Sequence, residues 1–338
     1  MSTNKLMELE IEVAEKPAVP GLRFRRFQGE NDYPLMVAVV EGCRKADKTE
    51  WANTVEETAV DYAHLTNCNP HTDMIFPEVN GKVVGYGRCW WKNMVDGSIA
   101  YYFFAHLLPE WRGTGIRLAM VRHLKQRLRQ IAADHPAEKE KNFINWSMEV
   151  ETDWTNLLLA EGHEIVRYGL DMVRPNLHNI PHCPLPQGLE LRCGTDAESR
   201  QIWEAAREAF RDHWGMSEWG EESFTGWSAY PTYQPHLWQI AWAGDEVVGG
   251  VLNFIDEKEN EENGRLRGYT DPIFVRRPWR KQGVAKALIA RSLAVLKEAG
   301  MTEAALGVDA ENLTGALHLY RKMGFEEVKR GMTFRKAL

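Results

Sequence analysis

The sequence predicts an α+β chain: two tandem mixed α/β domains, each a twisted mixed sheet flanked by helices. Three repeated patterns predict it. The stretches "NGKVVGYGRCWW" (80–91) and "GDEVVGGVLNFI" (244–255) share a turn, a Val-Val pair and an alternating apolar run, the pattern of hairpin strands. "LPEWRGTGIRLAM" (108–120) and "RPWRKQGVAKAL" (277–288) are strand-to-helix junctions about 168 residues apart at their Trp-Arg pairs. Gly162 in "LLLAEGHE" and Gly324 in "LYRKMGFE" end similar helices about 162 residues apart. Spacing that holds across most of each half marks a tandem duplication.

In the second half the elements follow in order. "AESRQIWEAAREAF" (197–210) has helical apolar spacing at Ile202, Trp203, Ala206 and Phe210. "LWQIAWAG" and "EVVGGVLNFI" read as an antiparallel pair, and "GYTDPIFV" as the next strand. "GVAKALIARSLAVLKEAG" is an amphipathic helix ended by Gly300, "EAALGVD" a strand, "TGALHLYRKMG" a helix stopped by Gly324, and "FEEVKRGMTFRK" the last strand. The first half repeats this order. Four prolines in "RPNLHNIPHCPLPQG" (174–188) predict a stiff linker. The expected layout is a tail over 1–20, a first domain over 21–173, that linker, and a second domain over 189–338.

Composition narrows the function. The 338 residues are 44% hydrophobic and 26% charged, which suits two ordinary soluble domains. The N-terminal stretch carries no apolar core flanked by basic residues, and no run of about 18 apolar residues occurs, so neither a secretory signal nor a membrane span is expected and the cytoplasm is the default location. Five cysteines without a C-x-x-C pair argue against a disulfide framework or a zinc ribbon, and no metal site is expected. A net charge of -7 leaves no broad basic face for nucleic acid. Against that acidity, Arg276, Arg277, Arg280, Lys281 and Lys286 crowd one junction with no acid among them, which suggests a seat for a small anion.

The second half resembles the GCN5-related N-acetyltransferases. The residues that carry the resemblance are Arg280, Gly283 and Ala285 between a strand and a helix, followed by "LGVDAENLTGALHLYRKMGF". The resemblance implies acetyl-coenzyme A as cofactor. A helix start offers unpaired N–H groups and the positive end of a dipole, which suit a pyrophosphate, and small residues at Gly283 and Ala285 let the phosphates approach. Arg280, Lys281 and Lys286 would add charged donors beside Gln282 and Val284. The resemblance further implies that the main chain of Ile273, Phe274 and Val275 pairs with the pantetheine arm and that the Val275 amide polarises the thioester. It makes Asn312 a contact of that arm and Tyr320 the acid for the leaving thiolate.

The acceptor side is read less directly. Asp271 shares a strand face with Ile273 and Val275, so it is aimed at the acetyl group unless Pro272 distorts the strand. Asp212, His213 and Trp214, in "FRDHWGMSEWGEESFTGW" with Trp219 and Trp227, suit the wall of a cationic amine pocket. Glu257, Glu259 and Asn260 in "DEKENEEN" could line the acceptor side, but a charge run of this kind reads first as a solvated hairpin loop.

In the first half, Leu107 ends the equivalent strand and Arg112, Gly113, Thr114, Gly115 and Ile116 keep the loop, which makes a possible second cofactor site. Arg117 replaces the small residue, Leu158 falls on Tyr320 and Val150 on Asn312, so this copy is expected to be catalytically degenerate. A worn first copy in tandem is similar to the mycothiol synthase type of the family, a likeness of architecture. The expected activity is acetyl transfer to a primary amine of a small molecule or peptide by direct attack in a ternary complex. A non-catalytic acyl-coenzyme A sensor and a Fem-like aminoacyl transferase stay open as alternatives, and the oligomeric state is not read.

Overall fold

Period-two alternation sorts the first sheet's side chains to two faces, and each face meets a different helix layer. The computed structural model describes residues 10–50, 54–312 and 315–338. They form two compact units, Met1–Val166 with Met332–Leu338, and Arg167–Gly331.

In the first unit β1 (Leu22–Arg25), α1 (Tyr33–Asp47), α2 (Val55–Ala63), β2 (Met74–Val79), β3 (Gly85–Asn93), β4 (Ile99–Leu107), α3 (Ile116–Ala133), β5 (Lys141–Met148) and α4 (Thr152–Ala160) follow in order. β1 to β4 pair antiparallel in sequence, and β3 and β4 match along their whole length from Gly85↔Leu107 to Asn93↔Ile99. β4 then runs parallel to β5 from Ile99↔Lys141 to Tyr102↔Ile144. Cys89, Tyr101, Phe103 and Leu107 face α3 through Met120, Val121, Leu124 and Leu128, while Met74, Phe76 and Tyr86 face α1 through Met36, Val39 and Val40. Gly87 is needed for this packing, since a Cβ there would lie 2.7 Å from the Phe104 carbonyl and 2.9 Å from Leu124.

Helix α1 has Pro34 in its first turn and ends on the left-handed Lys48; α2 carries a complete capping box between Thr54 and Glu57. The tail expected over 1–20 is packed from residue 10 onward. The Ile11 N–H donates to the Phe24 carbonyl at 2.8 Å, and Ile11 is buried in the first core.

β6 (Glu164–Arg174) spans the division between the units. The boundary expected at 174–188 is therefore displaced. Arg167–Arg174 belong to the second unit because they pair antiparallel with Glu303–Asp309, from Arg174↔Ala304 to Gly169↔Asp309. The proline-rich stretch is no free linker either. Leu177 is buried in the second core with Ile180, Cys183 and Leu185 against it, and the Arg174 guanidinium donates to the carbonyls of Asn176 and His178. At the other end, Met332 and Phe334 are buried in the first core, and the Leu338 N–H donates to the Lys141 carbonyl at 3.1 Å.

The second unit continues with β7 (Glu190–Cys193), α5 (Ser199–Phe210), α6 (Glu221–Ser228), β8 (Gln239–Ala243), β9 (Glu246–Val251), α7 (Glu257–Asn263), β10 (Arg267–Tyr269), β11 (Ile273–Val275), α8 (Val284–Glu298), β12 (Glu303–Asp309), α9 (Ala316–Lys322) and β13 (Glu326–Ala337). Helix α5 begins two residues inside the expected range, and α6 is an element the sequence reading did not separate. The single strand expected at "GYTDPIFV" is two. β10 runs parallel to β12, and β11 pairs antiparallel with β9. Pro272, which has no N–H to give a ladder, lies at the change of partner. The charge run at 256–263 is a helix rather than a loop: Asp256 caps it by accepting from the Glu259 N–H, and Gly264 closes it in the left-handed conformation. Asn260 is buried and exchanges hydrogen bonds with the main chain of Arg267, so it and Glu259 hold β10 instead of lining an acceptor pocket.

One packing feature carries a pH dependence. His163 is buried against Phe103 and Phe143, and neither ring nitrogen has a hydrogen-bond partner among the described residues. Burial, then the charges of Lys125 and Lys336, pushes its pKa down to about 4. A folded pKa below the unfolded one means that stability is complete at neutral pH and falls as the pH drops below the ordinary histidine value. Denaturant titration of the wild type should show a loss on the order of 2 kcal/mol between pH 7 and pH 5, absent from His163→Phe, the residue that Phe325 supplies in the second copy.

Candidate active site

The site is built from the junction between β11 and α8. Gly283 caps α8 with φ near 90°, a conformation that favours glycine, and a Cβ placed there would meet nothing within 4 Å. The first turn bond runs from the Ala287 N–H to the Gly283 carbonyl at 3.1 Å. The N–H groups of Gly283, Val284, Ala285 and Lys286 therefore have no acceptor among the described residues. Val284 is buried in the second core, so only its main chain faces the junction, and Ala285 is half-buried.

The five cations divide into two groups. Arg280 donates from Nε to the Val275 carbonyl at 3.0 Å, from Nη1 to Asp212 at 3.0 Å and from Nη2 to the Ala209 carbonyl at 2.9 Å. Arg277 also pairs with Asp212, and Arg276 with Glu208 and Glu246. These three arginines clamp the junction to α5 and β9. Asp212, expected on the acceptor wall, is the acid of that clamp. Lys281 and Lys286 are exposed and have no ion pair among the described residues. Gln282 donates to the Pro278 carbonyl at 2.8 Å and stiffens the turn.

Beside the junction, β11 has one paired edge and one open edge. The Pro272 carbonyl accepts from the Leu252 N–H, and the Arg276 N–H donates to the Val248 carbonyl. Antiparallel alternation then turns the main-chain groups of Ile273 and Val275 away from β9, while the Phe274 ring fills the core under α5. Arg280 takes the Val275 carbonyl, and the Val275 N–H has no partner among the described residues.

Asp271 stands at the foot of this open edge. Its carboxylate accepts from the Gly307 N–H, and Asp171 lies opposite Gly307 in the neighbouring strand. Burial first, and then the Asp171 charge, raises the Asp271 carboxyl to about 7. Tyr320, on α9, is buried with its ring 6.3 Å from Phe325. Burial and the nearby Asp271 charge raise its hydroxyl, which has no hydrogen bond to any described residue. Asn312 is half-buried where the chain leaves β12, its N–H on the Asp309 carbonyl.

His213 packs at 4.5 Å on Phe210, and burial followed by the Arg280 charge lowers its imidazole. Trp214 is exposed with Arg167 stacked at 5.4 Å, and Arg167 makes a paired contact with Asp309 at 2.9 and 2.7 Å. Trp219 and Trp227 are structural, the latter stacked on Trp238 at 5.1 Å. Arg167 and Asp171 were missed by sequence reasoning because they sit in what reads as the last strand of the first copy.

The first copy keeps the loop and fills its surroundings. Arg112 makes a two-pronged contact with Asp47 at 2.6 Å for each bond, the counterpart of Arg280 with Asp212. Thr114 donates to the Trp111 carbonyl, and Gly113 and Gly115 have positive φ. Ile116 is buried, and Arg117 is buried with its guanidinium on Asp153 at 2.7 Å and over the Trp154 ring. A Cβ on Gly115 would lie 3.3 Å from Pro17, so the tail covers this helix start. The Leu107 carbonyl accepts from the Cys43 thiol, and Asn145 donates to the Phe103 carbonyl at 2.6 Å where β4 and β5 part. Leu158 is core, and Val150 is a surface residue.

A duplicated splayed sheet with a bare helix start beside it defines an acyltransferase of the GCN5-related type. The Acetyltransferase (GNAT) family model matches residues 40–139 and 199–325, and the chain belongs to that family. Among named proteins, the chain is similar to a mycothiol acetyltransferase of Geodermatophilus obscurus, 25% identical over 268 residues that cover 78% of this chain and 82% of that one. It is also similar to N-alpha-acetyltransferase MAK3 of Arabidopsis thaliana, 31% identical over 96 residues, 28% of this chain and 48% of that one. Among solved structures, a GCN5-related N-acetyltransferase from Sphaerobacter thermophilus superposes with a TM-score of 0.70 at 24% identity, covering 94% of this chain and 95% of that one. A tandem GNAT protein from the clavulanic acid biosynthesis pathway does so with a TM-score of 0.65 at 13% identity, covering 94% and 98%. Among the described residues no helix is long and apolar enough to cross a membrane.

The two groups of cations should separate experimentally. Arg280→Ala is expected to lower the unfolding free energy by about 1–3 kcal/mol, because it leaves the Val275 and Ala209 carbonyls without their donor and Asp212 with Arg277 alone, whereas Lys281→Ala should change it by less than about 0.5 kcal/mol. Urea titration of both variants checks the difference.

Proposed function

We propose that the second unit carries acetyl transfer from acetyl-coenzyme A to a primary amine of a small molecule or peptide, and that the first unit holds no cofactor. The observation that carries the reading is the open edge of Ile273 and Val275 leading to the unpaired N–H groups of Gly283 to Lys286, with Asp271 and Tyr320 alongside. Acetyl-coenzyme A, when bound, supplies an activated thioester. The α8 start fits its pyrophosphate through four N–H groups, a positive dipole end and the charges of Lys281 and Lys286. Ile273 to Val275 can pair with an amide-bearing arm as an added strand, with Asn312 on the far side.

The chain's own groups then divide the proton work. An acceptor amine arrives as an ammonium, and Asp171 and Asp271, flanking Gly307, offer it two carboxylates. Asp271, poised near neutrality, takes the proton that the amine must lose. The Val275 N–H is a single donor for a developing oxyanion. The Tyr320 hydroxyl stays protonated across the neutral range and donates to a departing thiolate. Trp214 and His213 line the outer wall, where an aromatic face suits a cationic acceptor.

The pH profile tests the base. Asp271 must be ionised to act, so kcat/KM should rise with pH and level off above about 7, and Asp271→Asn should abolish that limb. Asp171→Asn should move the limb to lower pH, since the Asp171 charge is what it removes. Tyr320→Phe should lower kcat by roughly 10²-fold or more with coenzyme A affinity nearly intact; collapse of that affinity would overturn its assignment. Calorimetry with coenzyme A should give one site per chain, and a second site would contradict the covered first helix start.

A further inference from the structure

The first unit carries a half-buried guanidinium with no acid partner among the described residues. The buried Arg25 and Arg117 and the half-buried Arg112 meet acids: Arg25 pairs with Asp32 and Glu78, Arg112 with Asp47, Arg117 with Asp153. Arg88, half-buried on β3, has no ion pair among the described residues, and its Nε is closed to solvent without a partner. Three rings surround it instead, with centroids at 5.0 Å for Tyr62, 5.1 Å for Trp90 and 5.5 Å for Phe104. The Tyr62 hydroxyl is closed to solvent and, among the described residues, has only the Arg88 guanidinium beside it. Four residues along the same strand face, half-buried Lys92 likewise has no ion pair among the described residues, and burial together with the Arg88 charge lowers its ammonium. A guanidinium held among aromatic faces with no acid beside it keeps donors for an arriving anion, and the neighbouring phenol can donate to the same group.

The duplication shows that folding does not require this arrangement. In the matching hairpins, Arg88 of "NGKVVGYGRCWW" falls on Leu252 of "GDEVVGGVLNFI". Leu252 is buried in an apolar core with Ile202, Trp238 and Phe274. A leucine thus suffices to seal the helix layer against the sheet at this position, and the first copy has put a charge there.

We propose that Arg88, Tyr62 and Trp90 form a binding site in the first unit for a small aromatic carboxylate. The carboxylate accepts from the Arg88 guanidinium and the Tyr62 hydroxyl, and the flat apolar part lies on the Trp90–Tyr102 stack, whose rings are 5.2 Å apart and nearly parallel at 9°. Lys92 adds long-range attraction without direct contact. A rigid, preformed aromatic floor limits the ordering cost of binding, and a guanidinium fork matches a carboxylate in the plane.

The test uses the full chain and three probes: indole-3-acetate, indole and inorganic phosphate. Calorimetry should show indole-3-acetate binding below about 1 mM, with indole and phosphate each at least tenfold weaker. Arg88→Leu, the residue of the second copy, should weaken indole-3-acetate at least tenfold while keeping or raising the thermal midpoint, because it removes an unmatched charge. Lys92→Met, at the half-buried end of the strand face, should weaken it severalfold and serves if Arg88→Leu fails to fold. No binding of indole-3-acetate to the wild type, binding unchanged in both variants, or phosphate and indole binding as tightly as the acid would overturn the proposal.

Discussion

The structure depends on a change of partner in the second unit's sheet. Between Thr270 and Ile273 the chain leaves β12 and takes up β9, so that one strand edge is left without a ladder. The Thr270 N–H still bonds to the Ala305 carbonyl, and from Asp271 onward the two strands part. A main-chain edge cannot stay unpaired at no cost, which is why such edges are usually covered or charged. Here the edge lies between a carboxylate at its foot and a helix start at its head. Everything proposed about the reaction follows from an extended, donor-bearing ligand completing that sheet.

The head of the edge is held by a device used twice. In each copy the loop arginine, Arg112 or Arg280, reaches an aspartate at the end of the unit's first helix, Asp47 or Asp212. The ion pair fixes where the long helix begins, and this leaves the positive glycine conformations at Gly115 and Gly283 in equivalent places. The basic residues that look alike in sequence therefore have separate tasks. Arginines with neighbouring acids build the junction, and lysines without them supply charge to whatever docks there.

Duplication lets the two copies be compared position by position. The first has closed the features that the second leaves open: Pro17 sits over Gly115, Arg117 lies on Trp154, and Asn145 bridges the parted strands. Asp271 and Tyr320 have no counterpart there. The same comparison isolates Arg88, since Leu252 shows what packing alone asks for at that place. Loss of the aspartate and tyrosine positions in one copy and gain of a cation without an acid partner on the opposite sheet face are separate changes to one frame.

The repeat, the fold class, the order of elements and the two junctions were legible in the sequence because they rest on local signals. These are apolar periodicity, glycines that end helices, and small residues at a helix start. The family followed from them. The site was legible only in part. Gly283, Ala285, Asp271 and Tyr320 are named as candidates by motif and spacing, but the ion pair of Arg280 and Asp212 joins residues nearly seventy positions apart in sequence. The role of Arg167–Arg174 is a longer-range matter still, since those residues pair with Glu303–Asp309 and bring Asp171 to the second site. The helix at 257–263 was hidden because a charge run has no apolar stripe to betray it, although Asp256 and Gly264 were signals at its ends. Sequence determined which segments could form strands and helices, through side-chain periodicity. Only tertiary pairing decided which edge stayed open and which charges found partners, because both depend on contacts that no local pattern encodes.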